Sequence, residues 1–253
     1  MGQAERLQKM REWIKTTPEL TLDQLVETYQ ISRDTARRDI IQLESEGDII
    51  RIKNGLVRAG AKRTLKYDQR TEQPEKERIA KRASMRIKQD DRILLDAATT
   101  VAKMTAYIPF YSLQVITNSL EIAEQIGERA NVDLYVTGGK FDPHARSLVG
   151  IKTADDILNY QVDRVFLGAC GLTSEGVFAE NLEEAIVKKA MIRSGAEVIV
   201  LADRTKFDKR FFHKVCSFEQ LDVLITNERP SADWEERLHQ ANVTIEVAKE
   251  ELT

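Results

Sequence analysis

Six short apolar segments between residues 92 and 227 constrain the fold of this 253-residue chain more than any other feature. They read RILLD, LQVITN, VDLYVTGG, DRVFLGACG, EVIVLAD and DVLITN, and most precede a stretch with helical spacing. Strands that are apolar along their whole length and alternate with helices are typical of a parallel sheet covered on both faces. The sequence therefore predicts an α/β domain built on such a sheet.

Small or polar residues follow most of these strands. The carboxyl ends of parallel strands meet at one edge of the sheet, and ligands of open α/β sheets bind beyond that edge. We therefore expect a small-molecule pocket there. The residues predicted to line it are Asp96, Thr99, Thr100, Thr117, Asn118, Gly138, Gly139 and Cys170.

The N-terminal quarter of the chain follows a different pattern. AERLQKMREWIK places apolar residues at helical spacing, and Pro18 ends this first helix. Thr21 and Gln24 match a capping box at the start of a second helix, LDQLVETYQ. Ser32 is a suitable N-cap for a third helix, which runs to about Ser45.

A hairpin signal follows the third helix. In DIIRIKNGLVRAG, two short apolar runs flank Asn54 and Gly55, a pair that favours a type I′ turn. Three helices followed by a β-hairpin is the order of a winged helix-turn-helix domain, whose recognition helix enters the major groove of DNA. We expect this domain to occupy residues 1–60.

A polar segment, AKRTLKYDQRTEQPEK, separates the two patterns. Because it is charged and contains Pro74, we interpret residues 61–75 as a linker. An amphipathic helix over about 76–88 then opens the α/β domain, which we assign to residues 76–253.

Charge is distributed unevenly along the chain. The first 66 residues carry 13 Lys and Arg against 10 Asp and Glu, whereas the remainder carries 25 against 31. This modest asymmetry fits a small DNA-facing module joined to an acidic body.

The composition also favours a cytoplasmic protein. Two cysteines are too few for a disulfide framework. The charged N-terminus lacks the apolar core of a signal peptide, and no apolar run reaches the roughly 18 residues of a membrane span. No His/Cys cluster has zinc-site spacing, so we expect no metal and no cofactor.

The octet SRDTARRD opens the third helix. At 100° per residue, Ala36, Ile40 and Leu43 share the side that should face the core. Asp39 lies at the edge of that side, where it should orient an arginine or cap a neighbouring group rather than meet DNA. A solvated helix with local Asp–Arg pairs is the alternative, but the position of the octet favours DNA contact. The residues predicted to contact DNA are Ser32, Arg33, Thr35, Arg37, Arg38 and Gln42 on the helix and Arg51 and Lys53 on the hairpin.

These residues carry a resemblance to a known family. ERLQKMREWI and ISRDTARRDIIQLESEGDIIRIKNGLVR resemble the DNA-binding domain of the DeoR family of bacterial transcriptional regulators. LLDAATT, VITNS, VTGGKF, VGIKTADDIL, VFLGACGL, VKKAMIRSGAEVIVLADRTKF and VLITN resemble its sensor domain. The resemblance implies a sensor fold similar to ribose-5-phosphate isomerase. It also implies a regulator of sugar-metabolism genes, usually a repressor, that responds to a phosphorylated sugar.

The resemblance assigns a phosphate to the loop after the first strand, where the family reads D-x-G-T-T. Here Ala98 stands at the glycine position, and its methyl group should hinder close approach or a positive φ. Cys170 stands where the family has an aspartate, and a thiol of ordinary pKa cannot replace that carboxylate as a general base. The resemblance also supports Lys206 as a cation for the phosphate.

Three functions remain open from the sequence. The favoured one is a DNA-binding regulator with a sugar-phosphate effector, acting as a homo-oligomer (a dimer or tetramer) on a pseudo-palindromic operator. The second is a regulator whose C-terminal domain only oligomerises. The third, an active sugar-phosphate isomerase or deaminase fused to a DNA-binding domain, is disfavoured by Cys170.

Overall fold

A computed structural model describes residues 2–17, 19–45, 49–52, 55–58 and 74–248 of the chain. The chain divides into two compact units, Met1–Thr64 and Leu65–Thr253. The predicted linker falls almost wholly outside the described residues, so the domain boundaries stay a prediction.

The N-terminal unit contains three helices and a small antiparallel sheet. Its elements are α1 (Gln3–Thr16), β1 (Glu19–Thr21), α2 (Leu22–Tyr29), α3 (Arg33–Ser45), β2 (Ile49–Ile52) and β3 (Gly55–Arg58). The strand order is β1-β3-β2. The predicted capping box is present, since the Gln24 backbone N–H donates to Thr21 Oγ1 at 3.2 Å and the Thr21 N–H donates to Gln24 Oε1 at 2.8 Å.

The predicted hairpin turn at Asn54–Gly55 is wrong in register. Gly55 lies in β3, where it pairs with Ile52 of β2 and with Thr21 of β1. A Cβ atom at Gly55 would collide with the backbone carbonyl of Leu20. The glycine therefore permits close approach of the unpredicted strand β1 rather than a turn conformation. Lys53 and Asn54, which join β2 to β3, lie outside the described residues.

The second unit begins with a helix that differs from its prediction. This helix, α4 (Pro74–Ser84), starts inside the predicted linker and ends short of residue 88. Proline is favoured at the first helical position, because its missing N–H would have no partner there in any case. Pro74 therefore opens a helix instead of belonging to a linker.

The remaining elements alternate strands and helices. They are β4 (Arg92–Leu95), α5 (Thr99–Ala102), β5 (Leu113–Thr117), α6 (Leu120–Ile126), β6 (Val132–Val136), β7 (Lys140–Asp142), β8 (Ser147–Val149), α7 (Ile151–Ile157), β9 (Val162–Gly168), β10 (Gly171–Thr173), β11 (Gly176–Ala179), α8 (Leu182–Ser194), β12 (Gly195–Leu201), β13 (His213–Cys216), β14 (Val223–Thr226), α9 (Ala232–Gln240) and β15 (Thr244–Val247). Short 3₁₀ turns cover Lys103–Tyr107, Arg204–Lys206 and Phe218–Gln220.

Seven strands form one parallel sheet in the order β15-β14-β12-β9-β4-β5-β6. Six of them are the predicted strands, and β15 is an addition. Successive strand residues enter two separate cores, as in β4, where Leu94 packs on the side of α7, α8 and α9 and Ile93 and Leu95 pack on the side of α4, α5 and α6. The predicted parallel sheet with two covered faces is therefore confirmed.

The order in which successive strands are added to the sheet reverses between β4 and β9, although all the strands are parallel. From β4 the strands run outward through β5 and β6, and from β9 they run outward the other way through β12, β14 and β15. Such a reversal opens a crevice beyond the carboxyl ends of the two central strands. The loops after β4 and β9 thus flank the topological switch point of the sheet.

Candidate DNA-binding surface and effector site

The core-facing side of α3 is the one that the sequence predicts. Ala36, Ile40 and Leu43 are almost fully buried and share one hydrophobic cluster with α1 and α2. Arg37 and Arg38 are exposed. The helix therefore presents its arginines away from its own core.

Asp39 is fully buried and fixes α3 to α1. Its carboxylate accepts from Arg6, with Nε at 2.5 Å from Oδ2 and Nη2 at 3.2 Å from Oδ1. This hydrogen bond raises the pKa of Arg6. The prediction that Asp39 orients an arginine is confirmed, and the partner is a residue of α1 that sequence reasoning did not single out.

The three arginines of the octet have different surroundings. Arg33 forms an ion pair with Asp23 of α2, and Arg37 lies 3.5 Å from Asp34. Within the part of the chain that the structure describes, Arg38 has no hydrogen-bond or ion-pair partner. Arg38 is therefore the arginine of α3 whose guanidinium is not already engaged.

The other predicted DNA-contacting residues lie at the start of α3, on the side of α3 that contacts α1, and on the hairpin. Ser32 caps α3, since its Oγ accepts from the Thr35 backbone N–H at 3.2 Å and lies 2.9 Å from Thr35 Oγ1. Gln42 accepts from Gln3 Nε2 of α1 at 3.1 Å, which draws it toward Asp39. Arg51 lies on β2, and Lys53 lies outside the described residues.

In the second unit, a buried lysine joins the two central strand ends. Lys188 of α8 is 2% exposed and forms an ion pair with Asp96, at the end of β4. It also donates to the carbonyl of Gly168 at 2.8 Å, and the Gly168 N–H donates to Asp96 Oδ2 at 2.9 Å. Burial alone would lower the pKa of Lys188, but Asp96 and Glu184 outweigh it and raise that pKa. Asp96 thus ties the end of β4 to α8 and to the end of β9.

Ala98 fits its loop without strain. Its φ is −74° and ψ is 142°, so the expected conflict between a methyl group and a positive φ is absent. A Cβ atom at Gly168 would collide with the Ala98 methyl group. The loop after β4 therefore packs directly over the end of β9.

Cys170 is half-buried and donates its thiol to Glu184 Oε1 at 3.3 Å. Burial and the nearby Glu184 carboxylate raise the pKa of Cys170 to about 12. A thiol in this state is neither a general base nor a reactive nucleophile at neutral pH. Cys170 stands where the resemblance leads one to expect an aspartate, and Glu184 is the carboxylate that its thiol contacts.

Thr117 and Asn118 support the loop after β4 from the side of β5. Thr117 Oγ1 donates to the Leu95 carbonyl at 2.8 Å. Asn118 Oδ1 accepts from the Ala97 N–H at 3.2 Å, and its Nδ2 donates to the Leu148 carbonyl at 2.9 Å. Both side chains are buried and engaged by backbone groups, so they position the loop.

Gly138 and Gly139 pack against α7. The Gly138 N–H donates to Asp156 Oδ2 at 2.8 Å, and its carbonyl accepts from Thr153 Oγ1 at 2.8 Å. Gly139 has a φ of 141°, and a Cβ atom there would collide with Thr153. These glycines serve a close approach between the end of β6 and the helix.

Thr99, Thr100 and Lys206 are the predicted effector residues that the contacts above do not engage. Thr99 is half-buried, and its Oγ1 accepts from Lys76 Nζ at 3.0 Å. Thr100 is buried at the start of α5. Lys206 is half-buried in the 3₁₀ turn after β12, where its backbone N–H donates to the Asp203 carbonyl at 3.0 Å, and its side chain forms no hydrogen bond or ion pair with the described residues.

Sequence reasoning missed the residues that organise this edge: Lys76, Glu184 and Lys188. Lys76 and Lys188 are lysines on the buried faces of α4 and α8, among apolar neighbours. A lysine in register with a helix's apolar stripe is the signal that would have found them, because buried lysines need a specific partner.

A cavity of about 390 Å³ lies elsewhere in the α/β unit. It is lined by Thr173, Ser174, Asp208, Arg210, Ser231, Asp233, Trp234 and Arg237. None of the predicted effector residues lines it. Among the described residues no group of His, Cys, Asp or Glu could hold a metal ion, and no helix there is long and apolar enough to cross a bilayer.

Comparisons with known proteins match both units. The model of the DeoR-like helix-turn-helix domain matches residues 6–61, and that of the DeoR C terminal sensor domain matches residues 71–228. The HTH-type transcriptional repressor GlcR of Bacillus subtilis (strain 168) is 31% identical to this chain. The alignment covers 99% of this chain and 98% of the GlcR sequence. The Glycerol-3-phosphate regulon repressor of Escherichia coli (strain K12) is 25% identical, with coverage of 98% and 100%.

The fold also overlaps with solved structures. Ribose 5-phosphate isomerase A from Methanocaldococcus jannaschii aligns with a TM-score of 0.40 and 18% identity, over 53% of this chain and 54% of that one. An overlap of this size supports no inference about function. The family models, which match residues 6–61 and 71–228, and GlcR, which aligns with 99% of this chain, confirm the prediction of a regulator rather than an enzyme. The chain belongs to the DeoR family of DNA-binding transcriptional regulators.

Proposed function

We propose that this regulator represses sugar-metabolism genes and that a phosphorylated sugar, bound at the switch point of its sheet, modulates its affinity for the operator. The relatives support repression, since one is named as a repressor of the glycerol-3-phosphate regulon. The match of the second unit to a sensor-domain model supports a ligand.

The observation that carries the proposal is the anchored loop between Asp96 and Thr100. Lys188 holds its first residue, Asn118 holds the next one, and Ala98 packs over Gly168. The loop is therefore rigid where it begins and leaves Thr99 half-buried at the crevice. A rigid loop with a hydroxyl group at a switch point is a suitable binding element for a phosphoryl group.

We further propose that the protein acts as a homodimer. A helix-turn-helix protein gains affinity and specificity when two recognition helices occupy successive major grooves, one helical turn apart. Isologous pairing of two chains then matches a pseudo-palindromic operator.

A ligand panel tests the effector proposal. Operator duplexes selected by the protein from a random library would be titrated with and without glucose 6-phosphate, fructose 1-phosphate, ribose 5-phosphate and glycerol 3-phosphate. We expect at least one to weaken operator binding about tenfold or more, in the usual range of coupling energies. The unphosphorylated sugars should have no effect.

Substitution of the loop gives the matched test. Replacing Thr99 and Thr100 with valine should remove the ligand response without changing operator affinity in the absence of ligand. Thr244→Val, on the exposed edge strand β15, makes the same chemical change away from the site and should leave the response intact. An unaltered response in the double variant would contradict the site assignment.

One observation favours a second function, in which the α/β unit only oligomerises. Asp96, Thr117, Asn118 and Cys170 all use their polar groups in contacts within the protein. If no member of the panel shifts the thermal unfolding of the protein or its operator affinity, this second function is the correct one.

A further inference from the structure

The strand β6 is an edge of the seven-stranded sheet, and its outer side has no partner strand among the described residues. The opposite edge, β15, carries a charged network, because Glu246 forms ion pairs with Arg82 and Arg86. The one charged residue of β6, Asp133, has a single hydrogen bond with the described part of the chain, from the Tyr135 hydroxyl group at 2.9 Å. An exposed edge without such protection is a template for pairing with another strand.

The hydrogen bonds to β5 show which backbone groups of β6 point outward. Asn131 accepts from the Leu113 N–H at 3.0 Å, and the Thr137 N–H donates to the Thr117 carbonyl at 3.0 Å. Successive residues of a strand alternate in the side to which their N–H and C=O groups point. The odd-numbered residues between these two bonds therefore face β5, and the even-numbered residues direct their backbone groups outward. The outward residues are Val132, Leu134 and Val136.

The sequence of β6, VDLYV, is self-complementary about Leu134. If a second copy pairs with it antiparallel about a two-fold axis at Leu134, that residue faces its own copy and Val132 faces Val136. All the outward N–H and C=O groups then exchange hydrogen bonds with the second copy. Asp133 lies opposite Tyr135 of the second copy, whose hydroxyl group can donate to the carboxylate.

Other registers of this pair are less favourable. An axis at Asp133 would place two carboxylates opposite each other, which destabilises a strand pair. An axis at Tyr135 would leave Val132 opposite a residue beyond the end of the strand. The axis at Leu134 pairs all five residues, and it covers Tyr135 and Val136, which are 39% and 44% exposed.

We propose that β6 pairs with β6 of a second copy of the chain, antiparallel about a two-fold axis at Leu134, and that this contact forms the dimer. The inference rests on the proposed function, which assigns a homodimer but no surface to it. The contact is isologous, as expected for a symmetric dimer. It joins the two seven-stranded sheets into one continuous sheet.

Sedimentation of full-length variants over a concentration series tests the proposal. Tyr135→Glu places a glutamate opposite Asp133 of the second copy, and the two-fold axis repeats this repulsion. Because like charges directly opposite each other are destabilising, we expect the dissociation constant of the dimer to rise about tenfold or more. The fold should be retained, since Tyr135 is exposed.

Two further variants control the result. Tyr135→Glu/Asp133→Lys places a lysine opposite each glutamate in this register and should restore the dissociation constant to within about threefold of the wild type. Phe212→Glu makes a similar change at a residue that is 90% exposed next to β13, away from the sheet edge, and should leave the dissociation constant unchanged.

Disulfide cross-linking locates the two-fold axis independently. Leu134→Cys brings two Cα atoms to about 5.5 Å from each other, within the range that a disulfide spans. Asp133→Cys separates its two copies by two residues along the strands, about 7 Å, in addition to the spacing between the strands. We expect a covalent dimer from Leu134→Cys under mild oxidation and none from Asp133→Cys.

The outcomes separate the contact from the homodimer itself. If the wild type associates and Tyr135→Glu associates equally well, this inference is overturned and the proposed homodimer stands. Weakened association that the double variant does not restore would overturn the register. If the wild type is a monomer at every concentration and binds the operator as one, the homodimer fails and the inference fails with it.

Discussion

At the scale of single residues, the two cysteines are protected from thiol chemistry. Burial, together with Glu184 at Cys170, raises the pKa of both Cys170 and Cys216 to about 12. Because the thiolate is the reactive form, and its population at pH 8 falls by roughly tenfold for each unit of pKa, we expect slow labelling in the folded protein.

Labelling with a chromogenic disulfide at pH 8 measures this directly. The native protein should release little chromophore over minutes, and the protein in guanidinium chloride should release two equivalents at once. Raised pKa values in the folded state also mean that the unfolded state loses these protons first. Stability should therefore decline as pH rises above roughly 8.5. Rapid labelling of one thiol in the native protein would contradict the assignment.

A second prediction at this scale concerns the effect of Asp39 on stability. Asp39→Ala leaves the buried Arg6 guanidinium without its carboxylate, and breaking a buried pair in this way costs about 3–5 kcal/mol. The N-terminal unit should unfold at lower denaturant concentration than in the wild type. Asp34→Ala, which removes an exposed carboxylate from the same helix, should change stability by less than about 0.5 kcal/mol. Equal midpoints for the two variants would contradict the role of Asp39.

At the scale of elements, α3 carries the DNA-binding prediction. Arg38→Ala should weaken specific operator binding by about 1–3 kcal/mol, roughly 5- to 150-fold, and make the affinity depend less on salt. The fold should be unaffected, because Arg38 is exposed. Lys9→Ala removes one exposed charge from α1 and serves as the control. Unchanged operator affinity of Arg38→Ala in a gel-shift titration would show that α3 is not the recognition helix.

The sequence predicts this helix well because its periodicity and its capping residue are local signals. The sequence-based prediction fails at Gly55. A glycine is needed there because the unpredicted strand β1 lies too close for a Cβ atom. The prediction also misses β15. This strand, TIEV, has only four residues and lies at the edge of the sheet, where it is partly exposed. Both errors concern edge strands, whose pairing depends on contacts distant in sequence.

The sequence predicts a candidate site at the carboxyl edge of the sheet, but it does not predict the contacts that the residues of this site make. Apolar strands that end in polar residues correctly locate the carboxyl edge of the sheet. The sequence does not show that Thr117 and Asn118 are engaged by backbone groups, since those partners lie on other strands and loops. It likewise does not reveal that Lys188 holds Asp96, because the pair is 92 residues apart.

At the scale of the whole molecule, sensing requires that ligand and operator affinities depend on each other. If a ligand weakens operator binding by a given factor, the operator must weaken ligand binding by the same factor. This equality holds whatever structural change accompanies binding. It requires only that the small-molecule ligand and the operator bind the same population of protein.

We therefore expect the ligand found active in the panel to bind the free protein about tenfold or more tightly than it binds the operator complex. Titration calorimetry with and without saturating operator gives one factor, and gel-shift titration with and without saturating ligand gives the other. Equal factors establish that the same ligand-bound state controls DNA affinity. Thr99→Val/Thr100→Val should reduce both factors to one together, because it removes the shared site. If ligand affinity is the same with and without operator while operator binding still responds to ligand, that response does not come from binding to this protein.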